Sequence, residues 1–271
     1  MPEGDSVWRA ATKLHQALAG KVLTRSDFRV PRFATVDLVG RQTLQVVPHG
    51  KHLLHRVEGG VTIHSHLKME GRWMVLAQES LPPAARRHTV RALLSTSTHL
   101  AIGDSLGMLD VLATHRETEV VGHVGPDLLG VEFDRDQAVV NLGTDPARAI
   151  AAAMLDQRNA AGMGTIYVSE PLFAHHINPS WPVARVAEQL PDILDTARRM
   201  LVMGARTGRE PMQVHGRRGL PCLQCGQTIR WAPIGSQPAQ RQVSYCPGCQ
   251  GGLAAGDDGA PVNPLGHRGS A

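Results

Sequence analysis

All four cysteines of the chain stand in two pairs, CLQC (Cys222, Cys225) and CPGC (Cys246, Cys249), with twenty residues between the pairs. Each C-x-x-C turn aims two thiols at one point. Two such turns make a closed tetrahedral set, which constrains this part of the chain to a small unit pinned by a structural zinc ion. Four thiolates leave no open coordination position, so such a metal holds structure and does no chemistry. Disulfides and a redox C-x-x-C are the rival uses of the same residues. The intervening IRWAPIGSQPAQRQVSY reads as two short strands around a Gly-Ser-Gln-Pro turn, a hairpin that carries Arg241.

That hairpin lies in a basic segment. Residues 198 to 241 hold eight arginines, no Lys or Asp, and the single acid Glu210, a net +7 in a chain whose total is +4. The rest of the chain is therefore slightly acidic. Such asymmetry is an electrostatic footprint for a polyanion, and its plain alternative is a solvated charged face. The 271 residues suffice for one large domain or two ordinary ones, and 42% hydrophobic with 19% charged residues excludes global disorder. The sequence holds no apolar run long enough for a membrane span and no basic-then-apolar leader, so a cytoplasmic protein is expected.

The periodicity predicts an α+β chain in several parts. Val7, Ala11, Leu14 and Leu18 recur at helical spacing before Gly20, which predicts an amphipathic helix over 4–19. Residues 22–125 alternate in short runs such as QTLQVV, KHLLHRV and GVTIHSHLKM, an antiparallel β domain. In the last run, Val61, Ile63, Ser65, Leu67 and Met69 share one face and Thr62, His64, His66 and Lys68 the other. His64 and His66 have no third ligand indicated, so they read as polar strand positions and not as a metal pair. Asp145 and Pro146 predict the cap and first turn of a helix over PARAIAAAMLDQR. A glycine-rich break, NAAGMGT, precedes a second helical stretch, IYVSEPLFAHH. A third, around Pro191, should come in two pieces. The predicted divisions are 1–130, 131–215, 216–250 and a disordered Gly/Ala/Pro-rich tail, 251–271.

PEGDSVWRA at the start, HGKHLL at 49–54, MLDQRNAAGMGTIYVSE at 154–170, and VHGRRGLPCLQCG with PAQRQVSYCPGC together resemble the formamidopyrimidine-DNA glycosylase and endonuclease VIII family. The PEG-type opening resembles its endonuclease VIII-like branch, of the kind found in actinobacteria. The resemblance implies an N-terminal β-sandwich flanked by helices, a helix-two-turns-helix module, a zinc-finger β-hairpin, and a monomer that acts on damaged DNA in the bacterial nucleoid. It implies a base-excision repair enzyme, both glycosylase and abasic-site lyase. In it Pro2, freed of Met1, is the nucleophile through its secondary amine, and Glu3 is the general acid. An α-amino group titrates near pH 8, well below a lysine, so it is partly neutral and nucleophilic at pH 7. Lys51 matches the family's phosphate-contacting strand lysine and Arg241 the zinc-finger arginine. Lys68, Met69, Gly164 and Thr165 are the further DNA contacts, with Met69 as an apolar wedge.

Three departures from the family pattern stand out. Thr165 replaces the usual Asn after the second glycine, Pro171 falls inside the second helix of the module and should distort it, and no DPRRF-like wedge loop occurs in residues 105–120. The branch and the missing loop favour oxidised pyrimidines, with relative preference for single-stranded or bubble DNA. The alternatives are an oxidised-purine glycosylase of the formamidopyrimidine branch and a catalytically weak DNA-binding relative.

Overall fold

In a computed structural model the chain forms two compact units that meet between His123 and Val124, ahead of the predicted boundary at 130. Residues 2–78, 81–209 and 212–263 are described; Met1, Glu210 and the predicted tail from 264 onward lie outside them. No helix among the described residues is long and apolar enough to cross a membrane.

The first unit begins with α1 (Gly4–Leu18), whose stripe of Val7, Ala11, Leu14 and Leu18 is entirely buried. A capping box starts the helix: the Glu3 N–H donates to Ser6 Oγ at 3.0 Å. Gly20, at φ +75°, lets the chain turn away behind it. Eight strands follow: β1 (Arg25–Phe28), β2 (Thr43–His49), β3 (His52–Val57), β4 (Val61–His66), β5 (Arg72–Ala77), β6 (Val90–Ser95), β7 (His99–Asp104) and β8 (Met108–Ala113). They make two antiparallel sheets, ordered β1-β6-β7-β5 and β2-β3-β4-β8. Phe28, Leu94 and Ala101 from one sheet and Val46, Leu53 and Ile63 from the other share a core with α1, so the unit is a β-sandwich with a helix packed onto it.

The outer face of the β2-β3-β4-β8 sheet is polar. Arg56 on β3 makes two hydrogen bonds to Glu117, at 2.8 and 2.6 Å, and the Thr62 hydroxyl donates to the same carboxylate at 2.6 Å. This anchors the segment that leads into α2 (Thr118–Val121). The alternation predicted through Met69 stops earlier, at His66. Lys68 takes φ +56° and Met69 sits in a turn, 60% exposed.

The second unit holds α3 (Arg135–Gly143), α4 (Ile150–Leu155), α5 (Ile166–Ala174), α6 (Leu190–Thr207) and the hairpin strands β9 (Arg230–Ile234) and β10 (Arg241–Tyr245). One core joins helices and hairpin: Leu142, Met154, Tyr167, Leu194 and Leu201 pack with Ala232, Val243 and Tyr245. Helix α4 starts later than the sequence predicts. The Asp145 carboxylate accepts the Ala147 N–H in a turn, and Ala149 then pairs with Pro182 as an isolated bridge before the helix begins. Helix α3 was not foreseen, although Asp134 caps it by accepting the Gln137 N–H at 2.9 Å. Pro171 does not break α5. The helix runs from Ile166 to Ala174 with residues 166–173 buried, so packing offsets the missing N–H. The predicted break at Pro191 is present: a 3₁₀ turn over Val183–Gln189 hands over to α6, whose first turn contains the proline.

The tail departs most from its prediction. Ala254 is 2% exposed, and Asp257 binds Arg230 and Tyr245, so the chain beyond Cys249 stays fastened through residue 257. Polar partners outweighed its loop-like composition.

Inside the sandwich, the buried His55 shares a 2.9 Å hydrogen bond with Thr43 Oγ1, and burial lowers its pKa from 6.5 to about 4. The unfolded chain therefore binds a proton that the folded chain refuses, and stability is full above pH 6.5 and lost as pH falls toward 4. One such group costs on the order of 3 kcal/mol by pH 4. Urea unfolding between pH 7 and 4 should show this loss, and His55→Gln should flatten the slope by about one proton.

Candidate active site and metal centre

The four cysteine sulfurs lie within 4.8 Å of one another, the one such cluster of metal-ligating groups among the described residues. Cys225 and Cys246 sulfurs are 3.4 Å apart, and Cys222 and Cys249 sulfurs 3.8 Å, well beyond a disulfide bond. The cradle is shaped for an ion. A Cβ at Gly248 would lie 2.9 Å from Cys225 Sγ, and the Gln224 N–H points at Cys222 Sγ from 3.4 Å. Burial pushes the Cys246 thiol up to about 11, so a closed thiolate set here needs a cation to hold its charge. The residues fit a tetrahedral thiolate-bound metal.

In the first unit, Pro2 and Glu3 immediately precede α1. Glu3 is 1% exposed at the N-cap, and the fully buried Asp5 beside it pairs with Arg9 at 2.8 Å. Two buried carboxylates thus stand at the positive end of a helix. Lys51 lies in the turn of Gly50 and Lys51 that joins β2 to β3. Lys68 lies in the turn after β4, and Gly107 is required next to it because a Cβ there would meet the Lys68 side chain at 2.2 Å. His66 connects the two lysines. Its Nδ1 accepts the Lys68 N–H at 2.9 Å, and its pKa falls to about 4 through burial first and then Lys68 and Lys51. Beneath it, His52 Nδ1 meets His64 Nε2 at 2.8 Å, and His64 Nδ1 meets Asp110 at 3.2 Å. His64 thus links a neighbouring imidazole to a carboxylate.

In the second unit, the glycine-rich turn is organised by Gln157, whose Oε1 accepts the Gly162 N–H at 3.1 Å and whose Nε2 donates to Leu155 and Met163 carbonyls, both at 2.9 Å. Gly162 takes φ +100°, a conformation that disfavours any side chain. Gly164 and Thr165 follow, with Thr165 as the N-cap of α5. Five residues beyond Thr165, inside α5, the buried Glu170 carboxylate accepts three backbone N–H groups, from Gln213 (2.9 Å), Val214 (3.0 Å) and His215 (2.7 Å). Ser169 Oγ accepts the Ser244 N–H at 3.0 Å. Adjacent residues of α5 therefore hold both the segment entering the cysteine cluster and strand β10. Arg241 begins that strand, exposed, opposite Ile234.

Residues 1–108 match the formamidopyrimidine-DNA glycosylase N-terminal domain and residues 124–215 the formamidopyrimidine-DNA glycosylase H2TH domain. The chain is 48% identical to the probable endonuclease 8 2 of Streptomyces coelicolor, over 94% of this chain and 95% of that protein. It is 41% identical to the DNA-(apurinic or apyrimidinic site) lyase Nei2 of Mycolicibacterium smegmatis, over 92% and 99%. The chain belongs to the formamidopyrimidine-DNA glycosylase and endonuclease VIII family. Within it the chain is endonuclease VIII-like, since these relatives at 41% and 48% identity carry endonuclease 8 2 and Nei2 names, whereas a formamidopyrimidine-DNA glycosylase of Thermus thermophilus is 31% identical over 93% and 99%. The fold is shared with a Lactococcus lactis Fpg solved with N7-benzyl-Fapy-dG DNA, at TM-score 0.78 and 22% identity, over 92% of this chain and all of that one.

Each unit of this family member carries its own share of the predicted residues: Pro2, Glu3, Lys51, Lys68 and Met69 in the first, Gly164, Thr165, Arg241 and the cysteines in the second. Sequence reasoning missed Gln157 and Glu170, whose importance lies in the backbone groups they satisfy. A lone Glu in an apolar helical run was the one available signal for Glu170. Glu170→Gln leaves at least one of three buried N–H groups poorly paired and should cost about 1–3 kcal/mol. Glu170→Ala should cost more and raise amide exchange at residues 213–215, measured by unfolding and hydrogen exchange.

Proposed function

We propose that this chain is a bifunctional DNA glycosylase and abasic-site lyase that removes oxidised bases, pyrimidines foremost, and then cleaves the strand by elimination. The observation that carries the reading is the placement of Pro2 and the buried Glu3 directly ahead of α1, in a chain 41% identical to a protein named as an abasic-site lyase. Loss of Met1 frees the Pro2 secondary amine. The partial positive charge of the helix end favours its neutral, nucleophilic form. That nitrogen bonds to the anomeric carbon, Glu3 supplies the proton that opens the sugar ring, and the base leaves, giving an iminium that remains covalently attached. The iminium then acidifies the neighbouring carbon, and elimination breaks the bond to the flanking phosphate.

Lys51 and Lys68 meet phosphates beside the lesion, the backbone N–H groups at Gly164 and Thr165 meet one at the start of α5, and Arg241 grips one from the hairpin. Zinc, held by Cys222, Cys225, Cys246 and Cys249, supplies structure alone. Borohydride reduction with abasic-site DNA should trap a one-to-one adduct that peptide mapping assigns to residue 2; mapping to Lys51 would overturn the nucleophile. Glu3→Gln should lose base excision while keeping most cleavage of a preformed abasic site.

Substrate preference rests on the short connection between β7 and β8. Only Ser105, Leu106 and Gly107 join these strands, which supports the lack of an inserted wedge loop and leaves the exposed Met69 to fill the space of an everted base. Extrusion costs least where pairing is already lost. In single-turnover assays, thymine glycol in a bubble should be processed fastest; faster cleavage at oxidised guanine opposite cytosine in duplex would favour the formamidopyrimidine-type alternative.

A further inference from the structure

We propose that the chain beyond the last cysteine is a strap, closed by Asp257, that keeps the hairpin docked on the helical module even without metal and so makes Asp257 a positioning residue for Arg241. The role of Arg241 rests on the proposed function. The strap itself does not.

The path of the strap is fixed by contacts at both ends. Gly251 and Gly252, at φ +76° and +102°, turn the chain back, and a Cβ at Gly251 would lie 2.7 Å from the Trp181 ring. Asn178 Nδ2 donates to the Gly252 carbonyl at 3.1 Å, and the Ala255 N–H to Ser180 Oγ at 3.0 Å, which ties the strap to the segment before the 3₁₀ turn. On the hairpin side, the Ala254 N–H donates to the Tyr245 hydroxyl at 3.0 Å, and that hydroxyl donates to Asp257. Arg230 donates to Asp257 through Nε at 2.6 Å and also through Nη2.

Arg230 and Tyr245 are the cross-strand pair at the base of the hairpin. One carboxylate therefore clasps both strands. Arg230 and Asp257 side chains are 10% and 6% exposed, and removing one member of a buried ion pair leaves the other charge uncompensated. The cysteines are fastened separately. Cys222 and Cys246 pack with Phe173, Val214 and Ile229, whereas Ala232, Val243, Tyr245 and Ala254 belong to the helical core. The metal closes the two turns; strap and core hold the strands. Arg241, at the far end opposite Ile234, takes its place relative to α5 from the strands.

Hydrogen exchange on the full chain, metal-loaded and chelator-stripped, tests this in wild type and Asp257→Asn. Stripping wild type should expose residues 222–228 and 246–250 while the hairpin amides lose less than tenfold protection. Stripping Asp257→Asn should cost those hairpin amides more than a hundredfold, although the loaded variant keeps them. Equal, full loss in stripped wild type would assign the hairpin to the metal alone, and retained protection in stripped Asp257→Asn would assign it to the core; either overturns the strap. Should loaded Asp257→Asn fail to fold, Tyr245→Phe deletes only the bridging hydroxyl and should show the same direction of change. Binding of the stripped proteins to duplex containing an abasic analogue separates the two readings. Asp257→Asn should lose about 0.9 from the slope of log affinity against log salt, one phosphate's worth. Deprotection with an unchanged slope would keep the strap and reject Arg241 as a phosphate contact.

Discussion

The second unit depends on what the buried face of α5 does with other backbones. Glu170 takes up three N–H groups of a segment that has no regular structure to satisfy them, and Ser169 takes up one from β10. Buried backbone donors must be paired, and here one helix supplies the acceptors for two neighbouring elements. The same helix begins at the glycine-rich turn. Its N-terminus therefore points at one proposed phosphate site while its interior sets the position of the hairpin that carries the other. A helix with a proline inside it can bear this role because it is enclosed on all sides, and its regularity comes from the core and not from propensity.

What the sequence revealed and what it hid divide along physical lines. The α1 stripe, the strand alternation, the break at Pro191 and the cysteine spacing are local patterns, and each is present in the fold. The late start of α4 follows from a pairing between Ala149 and Pro182, thirty-three residues apart, which no window around Asp145 can contain. The fastening of the tail has the same origin: Gly, Ala and Asp read as loop until Arg230 and Tyr245 are brought beside them. At the candidate site, the cysteines were legible from their spacing, and Pro2 and Glu3 entered only through the family resemblance. Gln157, Glu170 and His52 were not, because their partners are backbone groups or side chains distant in sequence.

The polar outer face of the first sandwich sheet adds a constraint on Lys51. Strand β3 starts one residue after it with His52, which is held between His64, His66 and His123 and is pushed to a pKa of about 3 by burial first and then by the surrounding imidazoles. With Asp110 accepting from His64 Nδ1, the neutral His64 offers Nε2 to the His52 Nδ1–H, so one tautomer chain satisfies both rings. Neutral rings add no positive charge beside the two lysines that the proposed function places on phosphate. Aliphatic residues at these positions would avoid charge equally well but would leave Asp110 and the Lys68 backbone N–H without their partners.

The same economy of charge explains why the proposed nucleophile stands at a chain end. A lysine used as an amine nucleophile must first be brought down from a pKa near 10.4, which takes burial or neighbouring cations. Lys51 and Lys68 stand instead in the two turns beside His66, where the proposed function uses them on phosphate. A terminal secondary amine needs little such tuning, and α1 provides what remains through its dipole. Glu3, the acid of the proposed reaction, can stay buried at the helix start because its backbone N–H finds a partner in Ser6, and the helix end favours the carboxylate that is left once the proton has been delivered. Pro2 and Glu3 are thereby set side by side by a single helix start, apart from the turns that carry the two lysines.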